Sequence, residues 1–134
     1  MADKAFFTTP FGTSVSFAAG DTTVPKVVQA FPAAGGRLFS LQFANTSGAV
    51  QTMQVYRRVS STNFLLCEVS VPIGAGVADA SPIEVVQTKY FPALASMPAL
   101  LDGIPFSPND GIWVAAKTTI ASGAVTVSLF AGQG

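Results

Sequence analysis

The sequence predicts an all-β fold, a two-sheet antiparallel sandwich of jelly-roll-like topology, on three observations. Stretches of alternating apolar and polar residues recur along the chain, separated by clusters of Gly, Pro and Asn. Prolines at positions 92, 98, 105 and 108 forbid a long helix in the one region with helical spacing. With a single cysteine, the Cys…Trp…Cys spacing of immunoglobulin domains is absent. About eight short strands are expected, with the irregular stretch Thr88–Pro108 as a crossover between the sheets.

Each element follows from its residues. Phe6–Phe17 begins apolar, turns at Pro10-Phe11-Gly12 and then alternates through Val15 and Phe17, which predicts an N-terminal arm or edge strand. The domain reading is therefore an arm or edge strand over 1–17 and a single β-sandwich domain over 18–134. Val24–Phe31 is rich in β-branched residues, and Pro25 near its start suits an edge or entry position. Leu38–Val59 reads as a hairpin: Phe39, Leu41, Phe43, Met53 and Val55 face the core, and Asn45-Thr46-Ser47-Gly48 makes the turn. Phe64–Val71 alternates with Leu65, Cys67, Val69 and Val71 on one face, and Pro72 ends it. Ile83–Val86 is a short strand. A helical turn is expected around Ala93–Leu101 from the spacing of Leu94, Met97, Leu100 and Leu101. Ser107–Gly111 is a turn that launches Ile112–Lys117, with Ile112, Val114 and Ala116 on one face and Trp113 on the other. Ala124–Phe130 follows, with Val125, Val127 and Leu129 inward.

Composition narrows the function. The 134 residues suffice for one domain with a real core. Seven basic and seven acidic residues cancel, so no overall field attracts nucleic acid or an anionic membrane. Charged residues make up 10% of the chain, against about 25% in an ordinary soluble domain. Hydrophobic residues reach 49%. A surface so poor in charge is protected against association only when partners cover it, which points to a constitutive oligomer or a piece of a larger assembly. No apolar run approaches the ~20 residues of a spanning helix. The N-terminus lacks an apolar segment followed by a small-residue cleavage site, so synthesis in a cytoplasm is expected.

Candidate chemistry is sparse. With no histidine, nucleophile–histidine pairs are impossible and the commonest metal ligand is missing. Cys67 sits at an alternating apolar position and reads as a buried structural thiol. Asp21, Asp79, Asp102 and Asp110 fall in turn-like segments, where Asp serves the backbone. No carboxylate pair, cofactor or metal is expected, calcium included, because the acidic density is thin. Asn45-Thr46-Ser47 matches a glycosylation acceptor, yet the same residues explain a turn. Arg57 and Arg58 form the one concentrated basic spot and fall on opposite faces of a regular strand. Tyr56, Phe64, Trp113 and Phe130 lie opposite the aliphatic alternation, and so read either as an intersubunit contact or as a carbohydrate platform.

The apolar strand before Asn45–Gly48, the strand ending in Tyr56-Arg57-Arg58 and the strand closing on Val71-Pro72-Ile73-Gly74 together resemble small virion structural proteins of tailed bacteriophages. Asp110-Gly111-Ile112-Trp113-Val114 and Val125-Thr126-Val127 fit the same pattern. The resemblance is to the capsid decoration or cement class, and less specifically to head–tail or tail accessory proteins. It implies a β-sandwich module, commonly trimeric, that bridges neighbouring major capsid subunits on the outer surface of the virion and carries no catalytic residues. The contact residues expected are Phe6, Phe7 and Phe11 in the arm, and Tyr56, Arg57, Arg58 and Trp113 on the body. The alternative is a tail or fibre module that binds host glycan or receptor through exposed aromatics such as Trp113 and Tyr56. An enzyme is the third class, and no constellation supports it.

Overall fold

Period-two alternation sends one face of each strand into a core, and the computed structural model does this with nine strands. They are β1 (Thr9–Ala18), β2 (Lys26–Ala30), β3 (Gly36–Asn45), β4 (Gln51–Val59), β5 (Thr62–Val71), β6 (Ile83–Glu84), β7 (Ile104–Phe106), β8 (Gly111–Ala116) and β9 (Ala124–Gln133). The structure describes residues 9–21, 23–31, 35–77, 81–87, 89–91, 103–107 and 109–133. Among the described residues there is no helix.

One sheet has the order β1-β9-β3, with β6 and β7 sharing the far edge of β3, and the other has the order β2-β8-β4-β5. Every pairing is antiparallel. Five pairings are nested like the rungs of one long hairpin: β1 with β9, β2 with β8, β3 with β6 and with β7, and β4 with β5. Two more, β3 with β9 and β4 with β8, roll that hairpin into two facing sheets. This is the jelly-roll wrapping that the sequence predicts. The tip of the long hairpin is Ser60-Ser61, where φ values of 49° and 69° give the primed turn that a two-residue connection prefers.

The core lies between the sheets. Leu41, Phe43, Met53, Val55, Ile112, Val114, Val125, Val127 and Leu129 are all fully buried, as their alternation predicts. Each large aliphatic or aromatic side chain buried in this way stabilises the fold by about 1.5–3 kcal/mol. Phe31 and Phe106 stack with ring centroids 4.9 Å apart and planes 8° from parallel, closing one end of the sandwich.

Four expectations change. Phe39 is 38% exposed, and Leu38 is buried in its place, because β3 is bulged between Leu38 and Ser40. A second bulge, between Val55 and Tyr56, skips Leu66 on β5, so that Leu66 packs on the core and Leu65 is 52% exposed. Leu38–Val59 is not a hairpin: β3 pairs with β9 and β4 pairs with β5 and β8, so the segment after Asn45 is a corner between sheets. Thr88–Pro108 does not cross between the sheets as a whole, because β6 and β7 both pair with β3. The chain changes sheet on either side of that stretch, from β5 to β6 before it and from β7 to β8 after it. The helical turn expected over Ala93–Leu101 lies outside the described residues.

The Asn45 corner is built from buried polar groups. Asn45 is fully buried; its Nδ2 donates to the Ala49 carbonyl and the Val71 carbonyl, each at 2.9 Å. Its Oδ1 accepts from the Ser47 N–H at 2.8 Å and the Ser47 hydroxyl at 2.6 Å. Gln51 Nε2 donates to Ser47 Oγ at 3.1 Å, continuing the network into β4. Such a network turns the chain without orphaning main-chain groups. It also makes the Asn-Thr-Ser motif inaccessible to glycosylation in the folded chain.

Candidate functional site

The second sheet presents a continuous row of large side chains on its outer face. Val27 pairs with Trp113, Trp113 with Tyr56, and Tyr56 with Leu65, across all four strands. Directly opposed residues share a face, and the neighbouring Ile112, Val114 and Val55 point into the core, so this row points out. The adjoining row is polar. The Tyr56 hydroxyl donates to Gln54 Oε1 at 2.8 Å, and Gln54 Nε2 donates to Glu68 Oε2 at 2.9 Å. Lys117 Nζ lies 3.2 Å from Glu68 Oε1. The Gln54 hydrogen bond first, and Lys117 second, hold the Glu68 carboxyl below its ordinary pKa. Arg58 lies over Trp113, its guanidinium carbon 4.2 Å from the ring centroid.

At the end of this face, where the β4–β5 turn meets the β7–β8 loop, a cleft of about 490 Å³ opens. Arg58, Ser60, Ser61, Asn109 and Trp113 are among its walls. Gly111 forms part of the floor: a Cβ there would meet Trp113 Nε1 at 3.3 Å and the Gln29 carbonyl at 3.1 Å, so a glycine lets the indole lie against the strand.

Arg57 projects to the other side of β4. Its Nη2 and Nε donate to Asp110 Oδ2 at 2.6 Å and 3.1 Å, and its guanidinium lies 5.5 Å from the Phe106 ring centre. Asp110 is 5% exposed. Its carbonyl accepts from Phe31 N–H at 2.7 Å and its N–H donates to the Ser107 carbonyl at 3.1 Å. Arg57 therefore bolts the β2–β3 and β7–β8 connections to β4. The two arginines sit on opposite faces, as strand alternation requires, and only Arg58 joins Tyr56 and Trp113.

The remaining expected contact residues are not brought to this face. Phe6 and Phe7 lie outside the described residues. Phe11 is on β1, opposite Ala131 in the first sheet. Val27 and Leu65, which complete the row, carried no signal in the sequence, because strand register and the Leu66 bulge put them there. The outer face of the first sheet is different in kind. Ser14, Ser16, Ser40, Gln42, Thr126 and Ser128 cover it around an exposed Phe130. Its bordering charges are engaged: Arg37 Nη1 donates to the Gly103 carbonyl at 3.0 Å, and Glu84 accepts from the Leu41 and Val86 N–H groups at 2.9 and 3.0 Å.

The other described acids are likewise occupied. Asp21 accepts from Lys26 Nζ at 2.8 Å and from the Ala18 N–H at 2.7 Å, and Lys26 holds its carboxyl below the ordinary value. Among the described residues no three His, Cys, Asp or Glu side chains gather as metal ligands do; Asp3, Asp79 and Asp102 lie outside them. Burial pushes the Cys67 thiol up to about 11, which leaves it protonated and inert at neutral pH.

No protein-family model matches the chain, and no curated protein matches it. Among solved structures, a chain of the Cyanophage Pam1 capsid asymmetric unit is similar to it over 100% of this chain and 93% of its own length. The identity is 13% and the TM-score 0.51. At that identity the likeness is one of fold, a β-sandwich followed from end to end.

Proposed function

We propose that the chain is a non-enzymatic virion structural protein of the capsid decoration or cement class. In this reading it is made in a host cytoplasm, carried on the outer surface of the shell as a trimer, and bridges neighbouring major capsid subunits. The observation that carries the reading is the end-to-end likeness to a chain in a phage capsid asymmetric unit. Composition supports it, since 10% charged residues leave a surface that needs cover.

The face that docks on the shell is the outer face of the first sheet. Its centre is uncharged, so it sheds water at lower cost than the second sheet's face, where Glu68, Lys117 and Arg58 would need desolvation. In this reading Tyr56, Arg58 and Trp113, three of the contact residues expected from the sequence, lie on the opposite sheet from the docking face. Each seated copy stabilises the closed shell by mass action, because it binds the assembled state alone.

Occupancy on purified particles tests the assignment. Ser128→Lys puts a charge in the centre of the first-sheet face and should strip the chain from particles, whereas Leu65→Lys on the second sheet should leave occupancy unchanged. Equal occupancy for both variants overturns the choice of face, and absence of the wild-type chain from particles overturns the function.

A further inference from the structure

We propose that the cleft at the end of the second sheet binds an acidic saccharide, a hexuronate-type residue whose carboxylate pairs with Arg58 and whose hydroxyl groups meet Ser60, Ser61 and Asn109. The cleft's own residues carry this inference, whichever face of the sandwich meets a shell.

The backbone gives the first argument. Among the described residues, Ser60, Ser61 and Asn109 are the non-glycine residues with positive φ, at 49°, 69° and 66°. All three line this one cleft, although they come from two connections far apart in sequence. A two-residue primed turn ordinarily takes Asn-Gly, which adopts the left-handed conformation without penalty. Two serines there accept strain and in return put two hydroxyls at the rim. Strained backbone of this kind clusters at active sites and ligand clamps.

Charge gives the second. Asp110 is neutralised by Arg57, so the sign of the cleft is set by Arg58. Among the described residues Arg58 has no carboxylate within ion-pair distance; its contacts are the Trp113 ring and Asn63 Oδ1, 3.4 Å from Nη1. Contact with the indole restricts the guanidinium, whose fork fits a carboxylate bidentately.

The floor gives the third. β8 is hydrogen-bonded on one side to β2 and on the other to β4, so it presents no strand edge for a peptide to extend. The lining side chains then offer three short polar groups, one cation, and the apolar Val27 and Ala30 for the C–H face of a ring. A polyol with one negative charge matches that set. The volume of about 490 Å³ also falls in the range of small-ligand sites.

The test is titration of the full chain with methyl β-D-glucuronide and, separately, with methyl β-D-glucoside, reading the NMR shifts of the Trp113 indole N–H and the Gly111 amide. The glucuronide should move both signals and the glucoside should move neither. Arg58→Gln should weaken glucuronide binding by about tenfold or more, the loss expected for one charge-assisted contact, and Arg58→Lys should recover only part of it. Ser60→Gly and Ser61→Gly remove a hydroxyl while relieving the left-handed strain, so each should raise thermal stability and weaken binding together. A merely structural turn would gain stability with no change in binding. The proposal is overturned if the two glycosides bind alike, if the serine-to-glycine variants bind as wild type does, or if an acidic peptide moves these signals and the glucuronide does not.

Discussion

Asn45→Ala is the substitution that most directly probes why the chain turns where it does. The side chain is fully buried and makes four hydrogen bonds, two donated by Nδ2 and two accepted by Oδ1. Alanine leaves the Val71 carbonyl and the Ser47 N–H without this partner inside the corner, while the Ser47 hydroxyl, released from Asn45 Oδ1, can donate to the Ala49 carbonyl 2.8 Å away. Orphaned buried groups cost about 1–3 kcal/mol each. The expected loss is about 3–5 kcal/mol, a large share of the roughly 5–15 kcal/mol of a whole domain. In a thermal melt this lowers Tm by roughly 10–20 °C. Asn45→Asp sharpens the test. An ionised carboxylate would face the Ala49 and Val71 carbonyls, whereas the protonated acid can donate to one of them. Its folded pKa is therefore raised, and the stabilising contact is present below the ordinary Asp pKa and lost as pH rises through the folded value. Urea unfolding of this variant should show more stability near pH 4 than at pH 7, relative to wild type at each pH. A loss below about 1 kcal/mol for Asn45→Ala would refute the argument, because the corner would then hold without the network.

Three further outcomes follow from the same contacts. Gly123→Ala should cost about 3 kcal/mol by urea unfolding, since Gly123 has φ +69° and an added Cβ would lie 2.5 Å from Ser47 Cα. Arg57→Ala should cost about 3 kcal/mol, the low end for a buried pair because Arg57 is itself 38% exposed, whereas Arg58→Ala should cost about 1 kcal/mol or less. With no histidine, stability should be flat between about pH 5 and 8. Below that window it should fall, because Asp21 and Glu68 have lowered pKa values in the folded chain and their contribution is lost as pH drops through them. Cys67 works in the opposite direction: its raised value favours the neutral thiol, so its contribution is lost as pH rises from 9.0 towards about 11. A thiol reagent at pH 8 should accordingly react much more slowly with the folded chain than with the unfolded one.

What the sequence made legible is what strict alternation encodes. Ile112, Val114, Val125, Val127 and Leu129 are buried as their period demands, and Arg57 and Arg58 part to opposite faces. The fold class followed from the turn spacing, whereas the crossover expected of Thr88–Pro108 did not hold, because β6 and β7 both pair with β3. What remained hidden depends on non-local pairing. Phe39 and Leu38 exchange places through one extra residue in β3, and no local pattern announces a bulge. Asn45–Gly48 has the residues of a hairpin turn, but whether β3 and β4 pair is decided by β9 and β8, far away in the chain. The cleft was illegible for the same reason. Ser60, Ser61 and Asn109 look like ordinary turn residues until the roll brings the two connections together. Trp113 and Tyr56 stood out from the aliphatic alternation, yet Val27 and Leu65, which complete their row, are ordinary strand residues whose place only register reveals.

Copy number on the intact particle tests the central claim most directly, read by quantitative mass spectrometry before and after a wash in ~1 M salt, where surface charge attraction is screened within a few ångströms. A shell-bridging protein that seats through an uncharged face should be present in a fixed ratio to the major capsid protein and should keep that ratio through the wash. A handful of copies per particle, or release by modest salt, would contradict it.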